Sequence, residues 1–287
     1  RRFTRTLSLQ LRPLPLNNMP LIKTAADIVL LREAGKRHAR ILRIAAEMTK
    51  PGVETRAIDD RIYMLITQGD PKLGVPGGDQ PSLLNFQPDF ADRPFPASSC
   101  ISVNEEVVHG IPNENNRVLK VGDIVSIDFG LLHKGVYTDA AVTVPVVDAE
   151  GTGISPAVQK LLDATKEALV AGIKVAKGGA RVGDIGYAIE QVCKKHKLGL
   201  VEELCGHGVG NAAHEEPYVP NFGKRGDGML LKPGMVLAIE PMFNLGTANI
   251  VLMPDGYTFR TADMKPSAHF EHTVLIREGD AEVLTVL

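Results

Sequence analysis

Asp128, Asp139, Glu240 and Glu271 lie in or beside apolar, strand-like runs, and His207 sits among glycines in Gly206-His207-Gly208-Val209-Gly210. An unpaired acid in such surroundings is costly. Taken alone, Asp128 is best read as a structural acid, satisfied by backbone amides or an arginine. Taken together, the acids change the reading. Carboxylates that converge repel one another unless protons or cations intervene. Four carboxylates and an imidazole suit hard or borderline divalent ions such as Mn, Fe or Co. A closed zinc site asks for cysteine or more histidine. The glycines around His207 make a poor phosphate loop, because the lysine and the spacing of a P-loop are missing. They are expected to leave the imidazole in uncrowded backbone.

An internal repeat supports convergence. Leu119-Lys120-Val121-Gly122-Asp123-Ile124-Val125-Ser126-Ile127-Asp128 lines up with Leu231-Lys232-Pro233-Gly234-Met235-Val236-Leu237-Ala238-Ile239-Glu240. Each reads as a tight turn at glycine, a buried strand and an acid at its end. A duplicated unit that contributes one acid per half invites a site on the pseudo-twofold axis. In the first half, Val125, Ile127 and Phe129 alternate with Ile124, Ser126 and Asp128, the period of a strand. A turn over Leu131 to Lys134 and a return strand from Gly135 to Val144 set Asp139 roughly across from Asp128. Glu271 lies inside a further strand-like run, Ala268 to Ile276.

The elements that position these groups also come twice. Apolar residues at helical spacing predict a helix from Thr24 to about Thr49, opened by a capping box of Thr24 and Asp27. A second helix is capped by Thr55 and ends at Gly69. In the second half, Ser155-Pro156 starts a helix that Gly178-Gly179 breaks, and another runs from Val182 to a stop at Gly199. Two helices followed by strands, twice over, give an α+β fold with internal duplication. Asp70 to Ser99 stands apart as a long proline- and glycine-rich stretch carrying Phe86, Phe90 and Phe95. Its phenylalanines pack either on the protein's own sheet or over a functional site.

The 287 residues, 44% hydrophobic and with a net charge of -2, suffice for a full core. They give no electrostatic case for nucleic acid or membrane, and no apolar run is long enough to span a bilayer. Cys100, Cys193 and Cys205 are few, odd in number and widely spaced, which fits a reduced compartment better than a disulfide framework. Residues 1–18 carry four arginines and no acid. They are read as a non-native or disordered extension, with Met19 as the start. A transit segment is the alternative reading, and would make the cytoplasmic location organellar instead.

Cys100-Ile101-Ser102-Val103-Asn104-Glu105-Glu106-Val107-Val108-His109-Gly110-Ile111-Pro112 resembles the segment leading into the site of type 1 methionine aminopeptidases. Asp128, Asp139, the His207 glycine run, His214-Glu215-Glu216-Pro217, Glu240-Pro241-Met242 and Glu271-His272-Thr273 follow in that family's order. The resemblance covers Leu21 to the C-terminus. It implies the pita-bread fold, a pseudo-twofold duplicated unit with a central antiparallel sheet covered by helices, as one catalytic domain over residues 19–287. It implies removal of the N-terminal methionine from peptides and nascent chains with a small second residue. Two divalent ions (Co, Mn, Fe or Zn) are implied as cofactors. Asp139 and Glu271 would bridge them, Asp128 would complete one, and His207 and Glu240 the other. A hydroxide between ions about 3.5–4 Å apart would be the nucleophile. Glu240 would shuttle its proton to the leaving amine. His214 would donate to the carbonyl oxygen, and His109 would lie beside the scissile amide. A monomer acting on nascent chains, at the ribosome, is the implied setting.

The pocket for the methionine side chain departs from the family. Phe86, Phe95 and Cys100 occupy wall positions, Gln87 to Pro94 is longer than the usual turn, Ala213 precedes His214 where an aromatic is frequent, and Tyr257 stands where tryptophan is common. An apolar pocket discriminates a methylene by only ~1–3 kcal/mol, so side activity on leucine or norleucine termini is in reach. The alternatives are a sister enzyme of the same fold that cleaves before proline, an inactive binding module of that fold, and the type 2 branch. The short His214 to Glu240 interval argues against the last.

Overall fold

The structure, a computed structural model, describes residues 21–88 and 90–286. The reading of residues 1–18 as an extension therefore lies outside the described residues. Four long helices and short antiparallel strands make up the described residues, and they divide into two halves of like plan.

The first half opens with α1 (Ala25–Met48). Thr24 accepts from Asp27 N while Asp27 accepts from Thr24 N, so the capping box forms as its spacing predicts. α2 (Thr55–Thr67) starts differently from expectation. Thr55 is its first helical residue and gives no cap, because its hydroxyl accepts from Arg117 N instead. Buried Leu31, Ile41, Ile58, Ile62 and Leu65 of these helices pack on Val125, Ile127, Phe129 and Leu131. α3 (Pro156–Val175), capped by Ser155, and α4 (Val182–His196) repeat the arrangement. Leu161, Leu169, Ile185 and Ile189 pack on Leu237, Ile239, Phe243 and Val274. α4 stops where Lys197 turns left-handed (φ 56°), two residues before Gly199. Each half thus closes its own core with one helix pair.

The repeat holds at atomic detail in its turns. Gly122 and Gly234 both take positive φ (98° and 91°), and the N–H of the next residue closes each turn at 3.1 Å, Asp123 onto Lys120 and Met235 onto Lys232. After the turns the halves diverge. Ile124–His133 runs on well past Asp128, whereas Val236–Ile239 stops just before Glu240. Asp128 is therefore mid-strand, and only Glu240 stands at a strand's end.

Ile124–His133 pairs with Cys100–Val103, Gln80–Pro81 and Val136–Pro145 in one sheet. The second half contributes a five-stranded sheet in the order Glu282–Val283, His272–Leu275, Val236–Ile239, Cys205–Gly208, Glu215–Pro220. Backbone hydrogen bonds between Ala141 and Glu271 join the two halves (2.9 and 3.4 Å), beside a Thr273 hydroxyl that bridges Asp139 N and O. All the acids of interest lie along this junction.

Candidate metal centre

Asp128 and Asp139 come from one hairpin. The register sets Asp139 opposite Gly130 and Asp128 opposite Ala141. The acids are therefore diagonal neighbours on one face, not directly opposed. The turn decides this. Lys134 and Gly135 both take positive φ (47° and 89°), which makes a two-residue turn and lengthens both strands beyond the expected four-residue loop.

Glu240 and Glu271 occupy equivalent breaks. Glu240 lies between Val236–Ile239 and Met242–Asn244, and Glu271 between Ser267–His269 and His272–Leu275. In each case the chain leaves one sheet and enters another. The expected single strand from Ala268 to Ile276 is thus two strands. A side chain at such a break can aim into the junction without disturbing a ladder.

His207 lies within Cys205–Gly208, and its glycine neighbours are there because the site is crowded, contrary to expectation. A Cβ on Gly206 would fall 2.3 Å from the carbonyl oxygen of Ala238, and one on Gly208 2.2 Å from that of Glu216. Only glycine lets these strands approach so closely. His207 Nδ1 donates to its neighbour's carbonyl, Gly208 O, at 2.8 Å. That bond fixes the tautomer and turns the Nε2 lone pair toward the acids, the arrangement typical of a metal-binding imidazole.

Ligand atoms of Asp139, His207 and Glu271 all lie within 4.8 Å of one another, and all three side chains are buried. Oε1 of Glu271, 2% exposed, has no hydrogen-bond partner among the described residues. A buried carboxylate oxygen without a donor is rare, and a cation is the natural partner for it. Burial, with the neighbouring acids behind it, drives the whole group toward the protonated form. Asp139 is pushed up to about 7 by burial. Asp128 is raised well above the ordinary range by burial and by Asp139. Burial also raises Glu240 and Glu271, and each of them feels both aspartates. Burial lowers His207 to about 4, which keeps its imidazole neutral. Clustered acids that resist ionisation and a neutral imidazole with its lone pair inward fit a divalent ion.

His109 and His214 flank this cluster. The rings of His207 and His214 lie 4.3 Å apart, and burial holds His214 well below its ordinary value. His109 takes positive φ (60°) just after Glu106–Val108, and burial lowers it to about 4. The phenylalanine stretch closes over both. Phe86 stacks on His214 at 5.4 Å, Phe90 on His109 at 6.3 Å, and Phe95 meets Tyr257 edge-on at 5.0 Å. The stretch also pairs with the protein's own sheet, through Gln80–Pro81. The phenylalanines themselves lie against His214, His109 and Tyr257. Phe95, Cys100, Ile111 and Tyr257 form a buried apolar cluster. Burial, then Asp128 and Asp139, pushes the Cys100 thiol up, so it serves as an apolar surface.

Comparison with known proteins agrees with this site. The signature of metallopeptidase family M24 matches residues 29–278. The chain belongs to metallopeptidase family M24. Within it, methionine aminopeptidase of Aquifex aeolicus is 43% identical over 91% of this chain and 96% of its own. That of Treponema pallidum is 41% identical over 92% and 95%. The crystal structure of methionine aminopeptidase from Thermotoga maritima superposes with a TM-score of 0.83 at 36% identity, over 93% of this chain and 99% of that one. Prolidase from Pyrococcus furiosus, at 22% identity and a TM-score of 0.66, shares the fold alone. As an M24 member the chain is a metal-dependent peptide hydrolase with the pita-bread fold.

Two residues at this M24 site are visible in the sequence only as parts of longer runs and are not assigned to the site from it. Phe90 packs on His109, Tyr257 and Phe259, yet its stretch has no periodicity that could aim it. His269 lies with its Nε2 3.6 Å from Glu240 Oε2. Its place two residues before Glu271 was the available signal, and an imidazole in a strand-like run reads as core. No helix among the described residues is long and apolar enough to cross a membrane, and all three cysteines are free.

Proposed function

We propose that this chain hydrolyses the peptide bond after an N-terminal methionine, on peptides and nascent chains whose second residue is small. The observation that carries the reading is the pairing of a buried acid and imidazole cluster with an apolar wall beside it. Asp128, Asp139, His207, Glu240 and Glu271 would hold two divalent ions. These ions supply Lewis acidity and lower the pKa of the attacking water. The remaining work falls to side chains. Glu240 takes the proton from the attacking water and returns it to the leaving amine. His214, kept neutral by burial, donates an N–H to the carbonyl oxygen as negative charge develops there. His109 steadies the scissile amide from the other side. Phe86, Phe95, Cys100 and Tyr257 receive the thioether side chain, with Phe90 as an added wall.

The test is hydrolysis of Met-Ala-Ser and Ala-Pro-Ala by metal-stripped chain, alone and with Mn, Fe or Co. Metal-dependent release of methionine from the first peptide alone is the expected result. Cleavage of the second would move the activity to the proline-directed branch of the fold. No release from either, with metal bound, would make this a binding module. The metal that gives the fastest turnover identifies the ion the site uses best.

A further inference from the structure

His269 ends the Ser267–His269 strand and is 2% exposed. Its backbone is tied on both sides to one hydroxyl: its N–H donates to Thr143 Oγ1 at 2.8 Å, and its carbonyl accepts from the same oxygen at 2.7 Å. Its ring has no such anchor. Neither ring nitrogen has a hydrogen-bond partner among the described residues. A buried polar group left in this way costs free energy, and an aliphatic side chain of like volume would avoid the cost.

The ring instead faces Glu240. His269 Nε2 is 3.6 Å from Glu240 Oε2, and His207 Nε2 is 3.6 Å from Glu240 Oε1. The carboxylate therefore sits between two imidazoles, one at each oxygen. The two rings differ in what they can offer. His207 spends its N–H on the Gly208 carbonyl and keeps a lone pair toward the acids. His269 has no backbone acceptor, so its one N–H is free to sit on Nε2. The present separation exceeds a hydrogen bond by a few tenths of an ångström, and such contacts tighten when substrate is in place.

We infer that His269 is the positioning partner of Glu240, its Nε2–H donating to Oε2 so that Oε1 is held on the side His207 faces. The inference rests on Glu240 being the proton carrier. Holding one oxygen removes a rotational freedom of the carboxylate and presents the other in a fixed direction. Partners of this kind are worth roughly 10–100-fold in activity or metal affinity.

Three variants decide the matter. His269→Leu keeps the volume and removes the N–H. His269→Asn keeps an N–H that falls short of Glu240. His269→Gln places an N–H near the position of Nε2. For each, kcat and KM are measured separately on Met-Ala-Ser, and Mn2+ affinity is measured by calorimetry on metal-stripped chain. His269→Leu and His269→Asn are expected to lose about 10–100-fold in kcat with KM nearly unchanged, to bind Mn2+ more weakly, and His269→Gln to recover most of both. Wild-type kcat and Mn2+ affinity in His269→Asn would overturn the inference. So would a His269→Gln variant as impaired as His269→Asn. A wild-type chain that binds Mn2+ but releases no methionine would defeat the proposed function. The Mn2+ affinities of the three variants would then decide the positioning role by themselves. If His269→Leu does not fold, the comparison of Asn with Gln carries the test.

Discussion

Lys23 and Glu215 form an ion pair that is almost wholly out of water. Their side chains are 1% and 3% exposed, with Nζ 2.5 Å from Oε2. Glu215 also accepts from Ala212 N at 2.9 Å and from Asn211 N, so it ties down the loop that carries His214. At an effective dielectric of about 20, the attraction at this distance is on the order of 7 kcal/mol. Desolvation of two ions costs several kcal/mol each. The pair as a whole is therefore worth little. Its asymmetry is large: removing one partner leaves a buried charge uncompensated, at ~3–5 kcal/mol. Lys23→Met should destabilise the chain by that amount in urea unfolding. Lys23→Met with Glu215→Gln should recover most of the loss, because the glutamine oxygen still accepts the two backbone N–H groups. The recovered double variant should also recover kcat if the loop regains its shape. A Lys23→Met stability within about 0.5 kcal/mol of wild type would refute the argument, because a surface-like pair behaves that way. A double variant no more stable than the single would show that packing matters there and charge does not.

Glu240→Gln should leave the fold intact and lower kcat by ~100-fold or more, measured on Met-Ala-Ser; near-normal turnover would remove Glu240 as proton carrier. His214→Ala should lower kcat by ~100–1000-fold with little change in KM, and a pure KM effect would argue against donation to the developing oxyanion. The metal-stripped chain should lose stability as pH rises above about 7. Asp139, pushed up to about 7, and Asp128, Glu240 and Glu271, also raised by burial, hold protons in the folded chain that the unfolded chain releases above about pH 4. Their favourable contribution is lost as pH climbs through the folded values. Below about pH 6.5 His38, His109, His207, His214, His269 and His272 act the other way, because burial keeps them neutral while the unfolded chain protonates them. Urea titrations between about pH 7 and 8.5 check the sign, and saturating Mn2+ should flatten the slope; stability of the stripped chain rising with pH there would contradict it. Phe95→Ala, at a 3% exposed site, should cost ~3–5 kcal/mol and weaken the preference for methionine over leucine termini.

Local physics carried much of this protein into its sequence. The capping box at Thr24 and Asp27, the serine and proline that open α3, the apolar faces of the helices and the matched turns at Gly122 and Gly234 are short-range features, and each formed where its spacing placed it. The acids were legible because carboxylates in apolar runs demand a partner, while the ordered set that joins them to His207 came from the resemblance to a known family. Tertiary structure decided what lies beyond a few residues of chain. It set the diagonal offset of Asp128 and Asp139 through a two-residue turn, and broke the run around Glu271 where two sheets compete for one chain. It showed the glycines beside His207 to be demanded by strands too close for a Cβ. It folded Phe86 and Phe90 onto His214 and His109 from a stretch without periodicity, and brought His269 to Glu240. These contacts join residues distant in sequence, and packing, not local preference, fixes them.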